Sequence, residues 1–233
     1  MGKAKGKWLL ALLALAFAAI LAAVLCMNFP MAEVHAETAV AKVTAATGET
    51  QTYEKLSDAF MAAKDGDTID ILQDASENSE ADLAYGYGEE GEGGVWMFIK
   101  DKSLTINGNG HTLTSNTAAR AIYVINTEGK QTELTLNDLT IDFRTQKVNY
   151  GSPITATPIT LFNGGITLNL NNVTLDSTES GGGNVPTILS SGQTGGNVIN
   201  VRGGSRLLAK QENGYAFWAS KPVTLTVDNS TLS

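Results

Sequence analysis

A short phrase recurs five times in this chain: two or three alternating apolar residues, a small Asn/Asp/Gly corner, then a second short apolar run. It reads Leu104-Thr-Ile-Asn-Gly-Asn-Gly-His-Thr-Leu113, Leu134-Thr-Leu-Asn-Asp-Leu-Thr-Ile141, Leu168-Asn-Leu-Asn-Asn-Val-Thr-Leu175, Ile199-Asn-Val-Arg-Gly-Gly-Ser-Arg-Leu207 and Leu225-Thr-Val-Asp-Asn-Ser-Thr-Leu232. The apolar residues just before the corners, Ile106, Leu136, Leu170, Val201 and Val227, are separated by 30, 34, 31 and 26 residues. A fixed phrase at such spacing implies a stacked solenoid, in which each repeat buries its apolar face against its neighbours. Unequal steps are compatible with this, because only the strands must stay in register while the loops vary.

A second apolar run precedes each phrase: Val95–Ile99, Ala121–Ile125, Pro158–Phe162, Val185–Leu189 and Tyr215–Trp218. Each coil therefore holds about three short strands, as in a β-solenoid. Within the phrase, Leu134, Leu136, Leu139, Ile141 and Phe143 all face inward if Asn137-Asp138 forms a corner that resets the two-residue alternation. Asn, Asp and Gly suit such corners because they tolerate positive φ and bond their own backbone. Inward residues of successive coils stack about 4.8 Å apart, the spacing of neighbouring strands. Leu136 is then expected over Leu170. With 24 glycines, 5 prolines and 17% charged residues, composition agrees with a turn-rich all-β protein.

Lys3, Lys5 and Lys7 precede an almost unbroken apolar run from Trp8 to Met27, followed by Val34-His-Ala36. These are the three parts of a secretory signal, so residues 1–36 are read as a signal peptide cut after Ala36. The alternative is an uncleaved membrane anchor, since the run approaches the ~20 residues that span a bilayer. Lipid attachment at Cys26 is disfavoured because no small residue stands beside it. Loss of residues 1–36 removes three lysines and one glutamate, taking the net charge from −8 to −10, and removes the single cysteine. That charge disfavours nucleic acid and anionic membrane surfaces as partners. Disulfides and thiol chemistry are excluded for the exported part, which is expected to be secreted to a bacterial cell surface. Asn172-Val-Thr174 and Asn229-Ser-Thr231 fit the glycosylation acceptor pattern, but both lie in corners and are read as turns.

Residues 37–50 are read as a flexible linker and residues 51–233 as the folded domain. Leu56, Ala59, Phe60 and Ala63 share one face of a helix expected over about 53–64, stopped by Lys64-Asp-Gly-Asp67 and followed by the alternating Thr68–Leu72. An amphipathic helix before the first coil can cover the apolar end of a solenoid. This order, with Asp65-Gly-Asp-Thr-Ile69 and Ser103-Leu-Thr-Ile-Asn-Gly-Asn-Gly-His-Thr-Leu113, resembles the opening of parallel β-helix proteins of the pectate-lyase-like superfamily. The similarity is closest to the version found in exported and surface proteins of Gram-positive bacteria. It covers roughly Tyr53 to Ser233 and implies a right-handed parallel β-helix, the hand also favoured by the general crossover preference. It implies no particular activity, because that superfamily contains lyases, hydrolases, esterases and non-catalytic adhesins.

His111 is the only histidine outside residues 1–36, which excludes a multi-histidine metal site and leaves His111 as a corner residue. Stacking places Asp142 beside Asp176 on one outer face, with Arg144 two residues on. Paired carboxylates can share acid and base roles or bind calcium, and the arginine can meet an acidic sugar. Thr114 and Ser233 occupy the same face elsewhere, so the acidic column is short, and solvated surface aspartates are the simpler reading. No metal or cofactor is called for, calcium being the one ion considered. The acidic stretch Tyr85–Gly94 is read as a solvated insertion, and Asp65, Asp67 and Asp70 as turn formers. Of the aromatic residues in the second runs, Tyr123, Phe217 and Trp218 are candidates for stacking on sugar rings; Phe217 and Trp218 must face opposite sides.

The fifth phrase ends at Leu232 with no capping segment after it. The expectation is therefore a β-helix of five to six coils, uncapped at this end, that is a fragment of a longer surface protein or pairs there with another chain. The function expected is an exported module for adhesion, glycan binding or a structural stalk, with polysaccharide or a host or cell-wall glycan as partner. The alternative is a polysaccharide lyase or glycoside hydrolase centred on Asp142 and Asp176. A third reading is a remnant without function.

Overall fold

The computed structural model describes residues 38–77, 82–86, 94–145, 156–181 and 185–233. The signal-peptide reading of residues 1–36 and most of the acidic insertion lie outside these residues. Among the described residues no helix is long and apolar enough to cross a membrane. The fold is mostly β, with parallel sheets and one short helix.

In chain order the strands are β1 (Ala41–Thr44), β2 (Thr50–Tyr53), then helix α1 (Leu56–Ala62), β3 (Asp67–Ile71), β4 (Ala75–Glu77), β5 (Tyr85–Gly86), β6 (Gly94–Lys100), β7 (Leu104–Asn107) and β8 (Thr112–Ser115). They continue as β9 (Arg120–Ile125), β10 (Thr132–Phe143), β11 (Thr157–Phe162), β12 (Ile166–Asp176) and β13 (Val185–Ser191). The last are β14 (Asn197–Arg202), β15 (Arg206–Leu208), β16 (Gly214–Ala219), β17 (Val223–Val227) and β18 (Thr231–Leu232).

The recurring phrases form one sheet, ordered β17-β14-β12-β10-β7-β3-β1-β2, with β4, β8, β15 and β18 extending it beyond the corners. The second apolar runs form the other, ordered β16-β13-β11-β9-β6-β5. Pairing between successive repeats is parallel throughout. Because parallel neighbours cannot be joined by a tight hairpin, the chain visits the second sheet before returning to the first.

The register stacks like on like. Leu136 pairs with Leu170, as the alternation predicted, within a column running Ile69, Ile106, Leu136, Leu170, Val201, Val227. A parallel column holds Leu104, Leu134, Leu168, Ile199 and Leu225. In the second sheet Met97, Ile122, Ile159, Ile188 and Phe217 form another. Members of these columns from Ile69 to Val201 are buried, and together they make one continuous core.

The corners use the conformation foreseen for them. Asn109, Asp138, Asn172, Gly203 and Asn229 each have positive φ, between 45° and 66°. This left-handed turn lets the strand pass the corner with both flanking runs facing inward; Asn and Asp visit it at low cost. Gly108 is needed for a different reason: a Cβ there would lie 2.3 Å from the Asp138 carbonyl oxygen of the next repeat.

The beginning of the fold departs from the sequence reading. Residues 37–50 are not wholly a linker: β1 lies inside that span and pairs antiparallel with both β2 and β3. Ala41 and Val43 are buried against the core, and residues 38–233 form one compact unit, so the folded part begins before residue 51. The short, weakly apolar β1 gains its stability from the edge of β3, which local sequence cannot reveal. Helix α1 is seven residues long and buries Leu56, Ala59 and Phe60, with Ala63 at its C-cap also buried. Lys102 closes its end, Nζ donating to the carbonyls of Phe60 and Ala63, both at 2.6 Å. Burial holds the Lys102 ammonium below the ordinary lysine range.

Candidate functional site

Register brings Asp142 and Asp176 side by side on the outer face, with Thr114 next to Asp142. Each carboxylate is already engaged. Asp142 Oδ2 accepts from Arg144 Nε at 2.8 Å and Nη2 at 2.5 Å. Asp176 Oδ1 accepts from the Thr178 amide at 3.0 Å and hydroxyl at 2.6 Å. Asp142 holds the Arg144 guanidinium above its ordinary range, and Glu179 and Asp176 add to the effect. A charge-compensated pair of this kind, with the arginine side chain 55% exposed, is a surface ion cluster. Neither carboxyl is set apart from the other by burial, which is what paired acid and base roles require.

Of the aromatic candidates, Tyr123 is corrected: its ring is only 2% exposed. It points away from the core, but Phe98 and Phe162 lie 5.9 and 6.1 Å from it and the Arg120 guanidinium sits 5.4 Å from its centroid. A ring so enclosed cannot stack on a sugar. Phe217 and Trp218 do face opposite ways. Phe217 packs on the core, while Trp218 stands in the outward column Phe98, Tyr123, Thr160, Leu189, Trp218 and is half-buried. Trp218 is the one aromatic of the three that remains partly available on the outer face.

The outer face of the first sheet carries ladders that sequence reasoning did not assign. Asn107 Nδ2 donates to Asp70 Oδ1 at 2.9 Å, Asn137 to Asn107 Oδ1 at 3.0 Å and Asn171 to Asn137 Oδ1 at 2.9 Å. Lys42 closes the ladder with a 2.9 Å ion pair to Asp70. A second ladder joins Glu133, Asn169 and Asn200. Burial pushes the Asp70 carboxyl up, but Asn107 and Lys42 outweigh it and the net shift is down. The signal was present in the sequence: Asn recurs one step after the inward residue in three successive phrases.

Four further carboxylates hold backbone. Glu77 is fully buried and accepts from Ser115 Oγ at 3.2 Å and from the amides of Asn116 at 2.9 Å and Thr117 at 3.0 Å. The Thr117 hydroxyl also donates to it. Asp65 and Asp67 accept from the amides of Ser103 and Lys64, both at 2.7 Å, so these acidic residues organise the turn after α1. His111 Nδ1 lies 3.1 Å from Asp74 Oδ1, which also accepts from the Thr112 amide at 2.9 Å. That amide and His111 hold the Asp74 carboxyl below its ordinary value.

Asp74 borders a concavity of about 380 Å³ among the described residues, lined by Val40, Glu54, Lys55, Leu56, Gln73, Ala75, Ser76, Asp82 and Trp96 as well. It lies where α1 meets β4 and β6, remote in sequence from the Asp142 pair. Neither the helix pattern nor the repeat signals it, because it is assembled from segments that only the fold brings together.

No curated protein and no solved structure gives a significant match to the chain. Residues 48–181, more than half of the chain and spanning from the turn before β2 to just beyond β12, match the family described as "Putative pectate lyase-like adhesive domain". By that match, together with its parallel sheets and single short helix, the chain belongs to the pectate lyase-like adhesive domain family.

Proposed function

We propose that this protein is an exported bacterial surface module that binds glycan or serves as an adhesive stalk, built as a right-handed parallel β-helix. The observation that carries this reading is the family match, whose description names adhesion. The parallel register of both sheets supports the β-helix, and the secretory pattern of residues 1–36 supports export. The state of Asp142 and Asp176 supports binding over catalysis, since both are held by hydrogen bonds to Arg144 and Thr178.

The test is to incubate the folded protein, with calcium present, with pectic, mucin and bacterial wall polysaccharides, measuring both retention on the polymer and oligosaccharides released. Retention on at least one polymer without released products is the expected result. New oligosaccharides that vanish in an Asp142→Ala, Asp176→Ala double variant would replace this reading with a lyase or hydrolase.

A further inference from the structure

The chain contains four Asn-Gly pairs: Asn107-Gly108, Asn109-Gly110, Asn163-Gly164 and Asn213-Gly214. Because glycine has no side chain, nothing attached to its own Cα shields its amide nitrogen from the carboxamide of the preceding Asn. Attack of that nitrogen on the Asn Cγ closes a succinimide ring. Local sequence gives the four pairs equal standing for this reaction, and the fold separates them.

Three of the pairs are held at both reacting groups. The Gly108 and Gly110 amides donate to the Asn137 and Asp138 carbonyls of the next repeat at 2.7 and 2.8 Å, and the Gly164 amide donates to Thr194 Oγ1 at 2.8 Å. The carboxamides of Asn107, Asn109 and Asn163 donate to Asp70 Oδ1, the Ile71 carbonyl and the Asn126 carbonyl, each at 2.9 Å. In these pairs two hydrogen bonds must open before the ring can close. The fourth pair is different. The Asn213 carbonyl accepts from the Val185 amide at 3.2 Å. The peptide bond that follows is trans, so the Gly214 N–H points the opposite way, off β13, and β16 is the outermost strand of its sheet. Among the described residues neither the Gly214 amide nor the Asn213 carboxamide makes a hydrogen bond. Exposure and backbone conformation do not set Asn213 apart: Asn109 is exposed too, and its φ is 53° against 60° at Asn213. The hydrogen bonds make the difference.

We propose that Asn213 is a spontaneous modification site, deamidated through Gly214 in the folded protein while the other three Asn-Gly pairs are protected by their hydrogen bonds. The Gly214 nitrogen loses its proton to solvent and bonds Asn213 Cγ, the Cγ–Nδ2 bond breaks, and ammonia leaves after taking a proton from solvent. Water then opens the succinimide at either carbonyl, giving aspartate or isoaspartate. Either product adds a negative charge beside Glu212. The isoaspartyl product also reroutes the main chain through the former side chain and releases from it the carbonyl that accepts from Val185, which loosens the first rung between β13 and β16. This site is independent of the glycan-binding reading and makes the outer edge of the second sheet change with the age of the protein.

The experiment is to age the folded full chain at neutral to mildly alkaline pH and follow aspartate and isoaspartate at all four sites by peptide mapping, with a parallel sample unfolded in urea. Asn213 is expected to deamidate about tenfold or more faster than Asn107, Asn109 and Asn163 in the folded protein, and the four rates should converge in urea. Asn213→Gln should remove the fast component of ammonia release and leave the three slow sites unchanged. Asn109 deamidating as fast as Asn213 in the folded protein, no reaction at Asn213, or the same preference for Asn213 persisting in urea would each overturn the proposal. The aged protein should also exchange the Val185 amide faster than fresh protein or the aged Asn213→Gln variant. Unchanged exchange at Val185 in a sample rich in isoaspartate would overturn the claimed effect on the β13–β16 edge.

Discussion

The two ends of the stack are built from the same strand pattern and have opposite surroundings. At the first repeat, α1 and the antiparallel strands β1 and β2 lie against the core, and Ile69 and Phe60 are fully buried. At the last repeat, β17 pairs on one side only, and Leu225 and Val227 are 37% and 43% exposed although they continue the columns of Leu168 and Leu170. Ile199 and Val201, one step inward in those columns, are fully buried. Burial in this fold is therefore conferred by the neighbouring repeat rather than by the residue itself, as expected of a quasi-one-dimensional array.

The largest expected effect breaks that comparison directly. Leu168→Ala removes a side chain enclosed by repeats on both sides and should destabilise the protein by about 2–5 kcal/mol. Leu225→Ala, in the same column, should cost less than about 1 kcal/mol, since much of its surface already meets water. Urea denaturation of the two variants measures the difference, and equal losses would mean that the last repeat is covered in solution.

Next in size is Glu77, the buried carboxylate near the covered end. Glu77→Ala leaves the amides of Asn116 and Thr117 without their acceptor and should cost about 3 kcal/mol, from unsatisfied donors at roughly 1–3 kcal/mol each. Glu77→Gln keeps one acceptor oxygen but adds an amide donor among donors, so it should recover only part of the loss. A neutral outcome for Glu77→Ala in thermal melts would show that this turn contributes nothing to holding the first repeat together.

The smallest expected effect is on acid sensitivity. Asp70 and Asp101 both lie in the first repeats. In each, burial opposes ionisation but is outweighed, for Asp70 by Asn107 and Lys42 and for Asp101 by Thr127 and Glu128, so both folded pKa values fall below the ordinary 3.8. A depressed carboxyl binds its proton more readily in the unfolded chain. Its contribution is therefore complete above the unfolded value and is lost as pH falls through the folded one. The melting temperature should decline below about pH 4, and Asp70→Asn should flatten that decline. An unchanged acid limb in Asp70→Asn would remove Asp70 from the account.

Much of this was legible in the sequence because the signals are local. Alternation located the strands, and the residues tolerant of positive φ located Asp138 and Asn172 at their corners. The spacing of the phrases then placed Leu136 over Leu170 and Asp142 beside Asp176. What was not legible depends on contacts distant in sequence. Strand β1 looks like linker until the β3 edge is present to pair with it. Tyr123 alternates outward as expected, yet alternation cannot report that Phe98, Phe162 and Arg120 enclose its ring. The concavity at Glu54 and Asp74 joins segments on either side of α1 and β3 with Trp96 from the next repeat, so no spacing rule marks it.

Hydrogen exchange of the backbone amides, followed by mass spectrometry, tests most directly whether stacking on both sides is what stabilises each repeat. The account predicts slowest exchange in β10 and β12, which have parallel neighbours on both sides, and fastest exchange among the core strands in β16 and β17. Uniform protection across the sheets, or β17 protected as strongly as β12, would contradict it.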